Sequence, residues 1–523
     1  MSAGRVHATV DAAPPEAIAR AGSLTVGELL AEQALRTPGS RAVDDGHRSL
    51  NYRELDQRVN RLANALAALG VRHGDRVGIL AENRIEYLEA TFAAARLGAI
   101  LCALNWRLAR EELAHCVGLV SPLVVLVSPR FESTLAAIGP IAARVVSLGE
   151  NYESRLAAAT ADEPPPVAQP EDGLLILYTS GTTGLPKGAL ISHRAELARM
   201  ALSRIEGGLQ PGDGFVAWAP MFHMVSLEHA IHVLGCGGTV FVVDGADIPR
   251  LVALIATEPQ WWLVLIPGMI EPLVAALEAG AVTPRGIRVV GALADLVPGE
   301  LLARTSALLR APWWNTFGST ETGMLPAAGT RFAPGELPPD LGKAPSALCR
   351  WQLVDEQDRP VPPGVPGEMV VRGPTVFSGY WQASEVNARE FRGGWFHMGD
   401  LFVAGPDGRV NFVDRSRYMI KSGGENIYPM EIERVLMTDP RVLEAVVVRC
   451  RDKRWGEVPV AFVACRLGDV SAESLLQHCR AGLSSYKLPR EIRFVASAED
   501  FPRSTSGKIQ RSRVEQWLDD DRA

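Results

Sequence analysis

Cysteine is scarce in this 523-residue chain and is never clustered. The seven thiols, Cys102, Cys116, Cys236, Cys349, Cys450, Cys465 and Cys479, are odd in number, scattered and free of CxxC spacing. A disulfide framework and a cysteine-ligated zinc site are not suggested, and buried free thiols in a reducing compartment are expected. Long apolar runs are missing as well, none approaching the roughly 18 residues that span a bilayer. The N-terminus has acids and prolines where a secretory signal needs an uninterrupted apolar core. A cytoplasmic protein with no integral membrane segment is the expectation. Nor is positive charge in excess: 53 Lys and Arg face 60 Asp and Glu, for a net charge of -7. That balance argues against a broad nucleic-acid or anionic-membrane surface and leaves room for a local basic pocket, so small-molecule partners are expected and no nucleic acid.

What is present is ordinary for a globular protein, with 47% hydrophobic and 22% charged residues. The length exceeds that at which one core keeps growing, so two or more domains are expected. Residues 1–22, rich in Ala and Pro, read as a loosely ordered extension. Beyond them, helical patterns such as residues 52–69 alternate with short apolar runs at 77–80 and 99–104, the rhythm of an α/β layered domain. Around Val413-Asp414-Arg415 the text changes to a shorter, more charged block, where a boundary is placed. Apolar runs near 443–448 and 458–463 and a helical stretch near 475–483 make that block a compact α+β unit.

The most informative stretch is Leu174-Leu175-Ile176-Leu177-Tyr178 followed by Thr179-Ser180-Gly181-Thr182-Thr183-Gly184-Leu185-Pro186-Lys187-Gly188. A buried strand runs into a loop of hydroxyls and glycines with one lysine. Glycines let the backbone approach an anion, hydroxyls offer rotatable donors, and Lys187 adds charge, so the loop suits phosphate. It is not a Walker A loop, because Lys187 follows a proline, comes after the glycines and precedes Gly188 instead of Ser or Thr. Such composition alone usually marks a surface loop. In order and register, however, it resembles the phosphate loop of the adenylate-forming superfamily, which includes acyl-CoA synthetases, luciferases and peptide-synthetase adenylation domains.

Further motifs of that family follow in order. Trp218, then Pro220-Met221-Phe222-His223-Met224, resembles a Pro-x-Phe-His segment that gates an acid pocket. Taken alone, His223 reads as a structural histidine; the resemblance gives it a place among the catalytic residues. Amino-acid-activating relatives carry an Asp near this point and this chain does not, which favours an acid without an α-amino group. Gly291-Ala292-Leu293 stands where relatives have Gly-Gly-Ala-Pro beside adenine and acid. Asn315-Thr316-Phe317-Gly318-Ser319-Thr320-Glu321 is similar to Asn-x-Tyr-Gly-x-Thr-Glu, with Phe317 for Tyr. A flat ring can lie on a purine, Gly318 gives close approach, and the Glu321 carboxylate can hold Mg²⁺ against phosphates; Thr182 is the second metal candidate. In Trp395-Phe396-His397-Met398-Gly399-Asp400, which has Met398 for Thr, Asp400 suits two ribose hydroxyls. Arg415 matches a ribose-contacting arginine, Arg417 a hinge, and Gly423-Gly424 a loop lining the thiol tunnel. Arg451, Lys453 and Arg454 could meet CoA phosphates, though such charges more often read as solvated surface. Lys508, after Gly507, matches the lysine that bridges carboxylate and α-phosphate during adenylation.

The resemblance therefore implies an AMP-forming acid:CoA ligase using ATP, Mg²⁺ and coenzyme A. Residues 23–414 would hold ATP and acid, and residues 415–523 would be a mobile lid on the stacked α/β sheets of the larger domain. An apolar medium-chain, aromatic or alicyclic acid would be activated as acyl-AMP with release of pyrophosphate, then passed to the CoA thiol. Fatty acid metabolism is among the expected settings, and a homodimer is compatible with the sequence. Alternatives are a ligase loading a carrier protein, a luciferase-type monooxygenase and a non-catalytic nucleotide-binding protein.

Overall fold

The computed structural model describes residues 14–179, 185–423, 425–466, 470–503 and 509–520. Two largely parallel sheets dominate the N-terminal part. One has six strands in the order Arg144–Ser147, Val124–Val127, Arg76–Leu80, Ile100–Ala103, Gly173–Thr179, Lys187–Ser192. The other has eight, in the order Gly323–Phe332, Trp313–Ser319, Ile287–Val290, Gln260–Leu263, Gly214–Ala217, Thr239–Val242, Arg41–Asp44, Ser49–Asn51. Their inner strands, such as Val-Val-Leu-Val at 124–127, are buried along their whole length. Continuous apolar strands of this kind belong to parallel sheets covered on both faces.

The helix Ile85–Arg96 is buried at every residue and packs against strands of the six-stranded sheet and the helix Met224–Gly235. Its Glu89, with no exposed surface, receives Arg58 at 2.6 Å and the Tyr152 hydroxyl at 2.5 Å, so this buried charge is paired. The helical pattern from residue 52 is the helix Tyr52–Ala68, which Asn51 caps by accepting from the Glu54 amide at 2.9 Å.

Each of these sheets carries an antiparallel edge pair that positions the site, and the larger sheet has a second one, Arg41–Asp44 with Ser49–Asn51, at its far edge. Gly173–Thr179 turns back into Lys187–Ser192, and Trp313–Ser319 turns back into Gly323–Phe332. The phosphate-loop sequence and the Thr320-Glu321 pair thus both stand at carboxyl ends of strands. Gly291 follows the strand Ile287–Val290 and Trp218 follows Gly214–Ala217 in the same way. Ligands of open α/β sheets bind outside those carboxyl ends.

A four-stranded antiparallel sheet, Arg350–Val354, Gly367–Arg372, Phe396–Ala404 and Val410–Arg415, follows. The C-terminal domain has its own five-stranded sheet, in which Val442–Asp452 and Gly456–Cys465 form the longest antiparallel pair and Glu491–Val495 runs parallel to the latter. Its two apolar cores contain only residues from Ile420 onward. The fold is thus the expected large α/β domain with a small α+β partner. All seven cysteines are free, and among the described residues no helix is long and apolar enough to cross a membrane.

Candidate active site

The strand Gly173–Thr179 brings Thr179 opposite Lys187 in register. Ser180, Gly181, Thr182, Thr183 and Gly184, together with Gly424 and Lys508, lie outside the described residues. Lys187 is well placed: its Nζ sits 5.1 Å from the Tyr380 ring centroid. Partial burial holds its pKa below the usual lysine range, against the opposing pull of the Glu390 and Glu321 carboxylates. Tyr380 in turn donates its hydroxyl to Glu321 Oε1 at 2.7 Å. The segment around it is clamped on both sides. Leu190 N donates to Gly379 O at 3.0 Å, Trp381 N to Gly188 O at 2.8 Å, and Phe377 N to Glu321 O at 2.8 Å. The strand after the phosphate loop and the Thr320-Glu321 turn are therefore bonded to one connecting segment.

Gly318 is required by contact, since a Cβ there would lie 1.9 Å from the Gly323 carbonyl oxygen. Arg199, almost fully buried, donates to the Thr320 carbonyl at 3.1 Å and the Thr375 carbonyl at 3.0 Å, while pairing with Glu228 at 2.6 Å. Phe317 is buried between Phe402 and Phe412, with ring centroids 4.9 and 4.8 Å away. Thr316 is buried in the same strand, and Asn315 spends its side chain on backbone, as described below.

Gly291 takes φ 79°, and a Cβ on it would fall 2.2 Å from the Trp313 ring. The turn is fixed by two indoles: Trp262 Nε1 donates to the Gly291 carbonyl at 2.6 Å and Trp313 Nε1 to the Ala292 carbonyl at 3.2 Å. Leu293, next in line, also takes positive φ, 29°. The loop before His223 is held by Asn83. Its Nδ2 lies 2.8–3.2 Å from the carbonyls of Ala217, Trp218, Ala219 and Val243, and its Oδ1 accepts from Met221 N at 2.8 Å. Trp218 itself is buried, its indole donating to the Val264 carbonyl at 3.0 Å. Phe222 meets Trp106 edge-on at 6.0 Å and His223 at 4.6 Å, and His223 starts the helix that Met224 opens.

Asp400 and Arg415 are partners across neighbouring strands, with Oδ1 and Nε 3.2 Å apart. The buried carboxylate raises the pKa of the Arg415 guanidinium. Arg417 donates to the Tyr418 hydroxyl at 2.7 Å, and its charge acts on Lys187. Gly423 stands at the tip of the hairpin Ile420–Ser422 and Glu425–Ile427, its N–H donating to the Trp455 carbonyl at 2.8 Å.

Glu321 thus acts electrostatically on both Lys187 and Arg415, Arg415 is paired with Asp400, and Gly423 is left on the C-terminal sheet. Sequence reasoning missed Tyr380, Asn83 and Arg199. Ser378-Gly379-Tyr380-Trp381, an aromatic–glycine turn after a β-run, is the one signal that could have flagged Tyr380. Among the described residues no cluster of three or more His, Cys, Asp or Glu forms a cation cage. Magnesium binds through one or two carboxylates plus substrate phosphates, so the lone, oriented Glu321 carboxylate fits it.

A family model described as "AMP-binding enzyme" matches residues 30–381, and one described as "AMP-binding enzyme C-terminal domain" matches residues 431–508. The chain is 34% identical over 510 residues to an indoleacetate–CoA ligase of Aromatoleum aromaticum, covering 95% of this chain and 98% of the relative. It is 34% identical over 502 residues to a feruloyl-CoA synthase of an Amycolatopsis species, covering 94% and 98%. Among solved structures, ATP-bound MatB from Rhodopseudomonas palustris superposes with a TM-score of 0.82 at 26% identity, covering 96% of this chain and 100% of that one. The apo form of the same protein gives 0.74 at 25% identity with the same coverage.

Proposed function

The chain belongs to the AMP-binding enzymes, and on that premise we propose that it is an ATP-dependent acid:CoA ligase of the cytoplasm, acting on an aryl or arylalkanoic acid. The observation that carries this reading is the convergence of Lys187 and Glu321 on Tyr380 beyond the end of a buried parallel strand. One cation and one carboxylate, held at fixed spacing, suit a magnesium-bound triphosphate. The CoA acceptor is supported by the relatives, named as CoA ligases or synthases over nearly the whole length. Their acids, indoleacetate and ferulate, are aromatic, which favours an aryl over a fatty acid.

In this reading the acid carboxylate attacks the α-phosphate of ATP and pyrophosphate leaves; the CoA thiol then attacks the acyl-adenylate and AMP leaves. Mg²⁺ held by Glu321, with Thr182 as a further candidate, would neutralise phosphate charge. Lys187 binds the phosphates, Asp400 with Arg415 orients the ribose, and Gly291 to Leu293 shape the floor under acid and adenine. Phe222, His223 and Met224 wall the acid. Trp218 contributes from behind, through the core. Lys508 bridges carboxylate and α-phosphate, and residues 415–523 turn about Arg417 to bring Gly423 and Gly424 to the thiol. No enzyme nucleophile is needed, because the adenylate is itself the activated group and positioning with charge stabilisation does the work.

The test is acid-dependent release of AMP and pyrophosphate across a panel of aryl, arylalkanoic and fatty acids, with and without CoA. Release that needs an aryl acid and accelerates with CoA is the expected result. Release without CoA stimulation would point to a carrier-protein acceptor, and no release with any acid would remove the ligase reading.

A further inference from the structure

Asp295 lies two residues beyond Leu293, and its carboxylate is shared by cations from two different domains. Lys343, with no exposed surface, gives its Nζ to Asp295 Oδ2 and also donates to the Leu341 carbonyl at 3.2 Å. Arg434, on the helix Pro429–Met437 of the C-terminal domain, gives Nη2 to Asp295 Oδ1 at 3.1 Å. Asn315 closes a ring beneath them. Its Nδ2 donates to the same Leu341 carbonyl at 3.1 Å, and its Oδ1 accepts from Ala294 N at 3.3 Å. Arg434 also donates to the Phe412 carbonyl at 3.2 Å, directly behind the ring that packs on Phe317. The ring therefore joins the Gly291–Leu293 turn, the strand bearing Thr320-Glu321 and the C-terminal domain.

We propose that Asp295 is a positioning residue for acyl-adenylate formation, its pair with Arg434 being the latch that holds the C-terminal domain in the posture serving that half-reaction. The proposal rests on the ligase reading above. The charges make such a latch reversible. Asp295 and Lys343 have side chains only 5% and 0% exposed, so they remain a neutral pair when Arg434 leaves, while Arg434, 42% exposed, returns to water. Release strands no buried charge, the condition under which breaking a buried pair becomes expensive. A further ion pair between this domain and the body, Lys421 with Glu356 at 2.7 Å, is 60% and 70% exposed and contributes little. The closer likeness to the ATP-bound than to the apo form of MatB agrees with an adenylating posture.

The test uses Arg434→Ala, Arg434→Glu and the conservative Arg434→Lys in the full chain. Acid-dependent ATP–pyrophosphate exchange reads the first half-reaction, and acyl-CoA formation from supplied acyl-AMP reads the second. Arg434→Ala should slow exchange about fivefold, the factor commanded by one partly exposed ion pair of about 1 kcal/mol. Arg434→Glu should slow it further, Arg434→Lys should keep most of it, and the second half-reaction should be unchanged or faster in all three. Equal loss in both half-reactions, or none in exchange, overturns the latch while a wild-type chain that still makes acyl-CoA keeps the ligase reading. A wild-type chain without exchange overturns both. Asp295→Asn strands Lys343 in the interior and risks misfolding, so the Arg434 variants are the decisive ones.

Discussion

The Tyr380 hydroxyl donates to Glu321 Oε1 at 2.7 Å while its ring lies 5.1 Å from the Lys187 ammonium. One side chain thus spaces the carboxylate and the cation expected to close on the triphosphate. Burial, with the Glu321 and Glu390 carboxylates, pushes the phenol well above the ordinary tyrosine range, so it stays a donor at any working pH.

Tyr380→Phe keeps the ring near Lys187 and frees the carboxylate. A hydrogen bond to a charged group is worth about 1.5–3 kcal/mol, so kcat/KM for MgATP in pyrophosphate exchange should fall roughly tenfold or more. The KM for the acid should hardly move. Exchange titrated with Mg²⁺ is the measurement, and an effect confined to the acid would refute the assigned role.

Asp400 and Arg415, 3.2 Å apart across two strands, should act on the nucleotide alone. Arg415 keeps 43% of its side-chain surface exposed, so Asp400→Ala leaves it solvated and the fold intact. The expected outcome is a rise in the KM for ATP of about tenfold, the loss of roughly one charge-assisted hydrogen bond. Thermal denaturation should show only a small drop, and Asp400→Asn, which retains an acceptor, should lie between. An unchanged KM for ATP would remove Asp400 from the ribose site.

Contiguous motifs were legible because each marks one strand end: the run before Thr179 and the Gly318 contact are local facts that composition and order reveal. Gly291 was legible from its place in the motif, whereas the Trp313 ring that leaves no room for a side chain there comes from the fold. Tyr380, Asn83 and Lys343 act on partners far along the chain, and nothing in their local text says which carboxylate or carbonyl the fold will supply. Nor does the local text show that Gly423 stands in a short hairpin ahead of the helix Pro429–Met437, held because Ile420 and Ile427 pair across it and are both fully buried in the C-terminal core.

Lys508 lies outside the described residues, yet the proposed division of labour makes a sharp prediction for it. Lys508→Ala should reduce acid-dependent pyrophosphate exchange by a factor of about a hundred or more, the scale of removing one group aimed at transition-state charge. Acyl-CoA formation from supplied acyl-AMP should be much less affected. Equal loss in the two assays would refute a lysine reserved for adenylation.

A buried cluster between the helices His193–Ile205 and Met224–Gly235 should write itself into the pH dependence of stability. Burial raises the carboxyls of both Glu196 and Glu228, and the single Arg199 cation bonds Glu228 at 2.6 Å, which leaves Glu196 to keep its proton. Glu196 Oε1 lies 3.1 Å from His232 Nε2, and His232 Nδ1 lies 2.9 Å from Ser203 Oγ. Burial lifts Glu196 from 4.5 to about 8 and lowers His229 and His232 from 6.5 to about 3. For the acid, the folded chain binds the proton more tightly, so its stabilisation is complete below pH 4.5 and is lost as pH rises through 8. For the histidines the unfolded chain binds the proton more tightly, so stability is lost as pH falls from 6.5 toward 3. Between pH 4.5 and 6.5 the slopes oppose each other; between 6.5 and 8 only the raised carboxyls of Glu196 and Glu228 act, each at up to about 1.4 kcal/mol per pH unit. The melting temperature should therefore decline from pH 6.5 to 8.5, and Glu196→Gln, which mimics the protonated acid, should make that limb shallower while leaving the acid limb in place. A variant that retains the full alkaline decline would take Glu196 out of it and leave Glu228, whose carboxyl burial also raises to about 8, as its source.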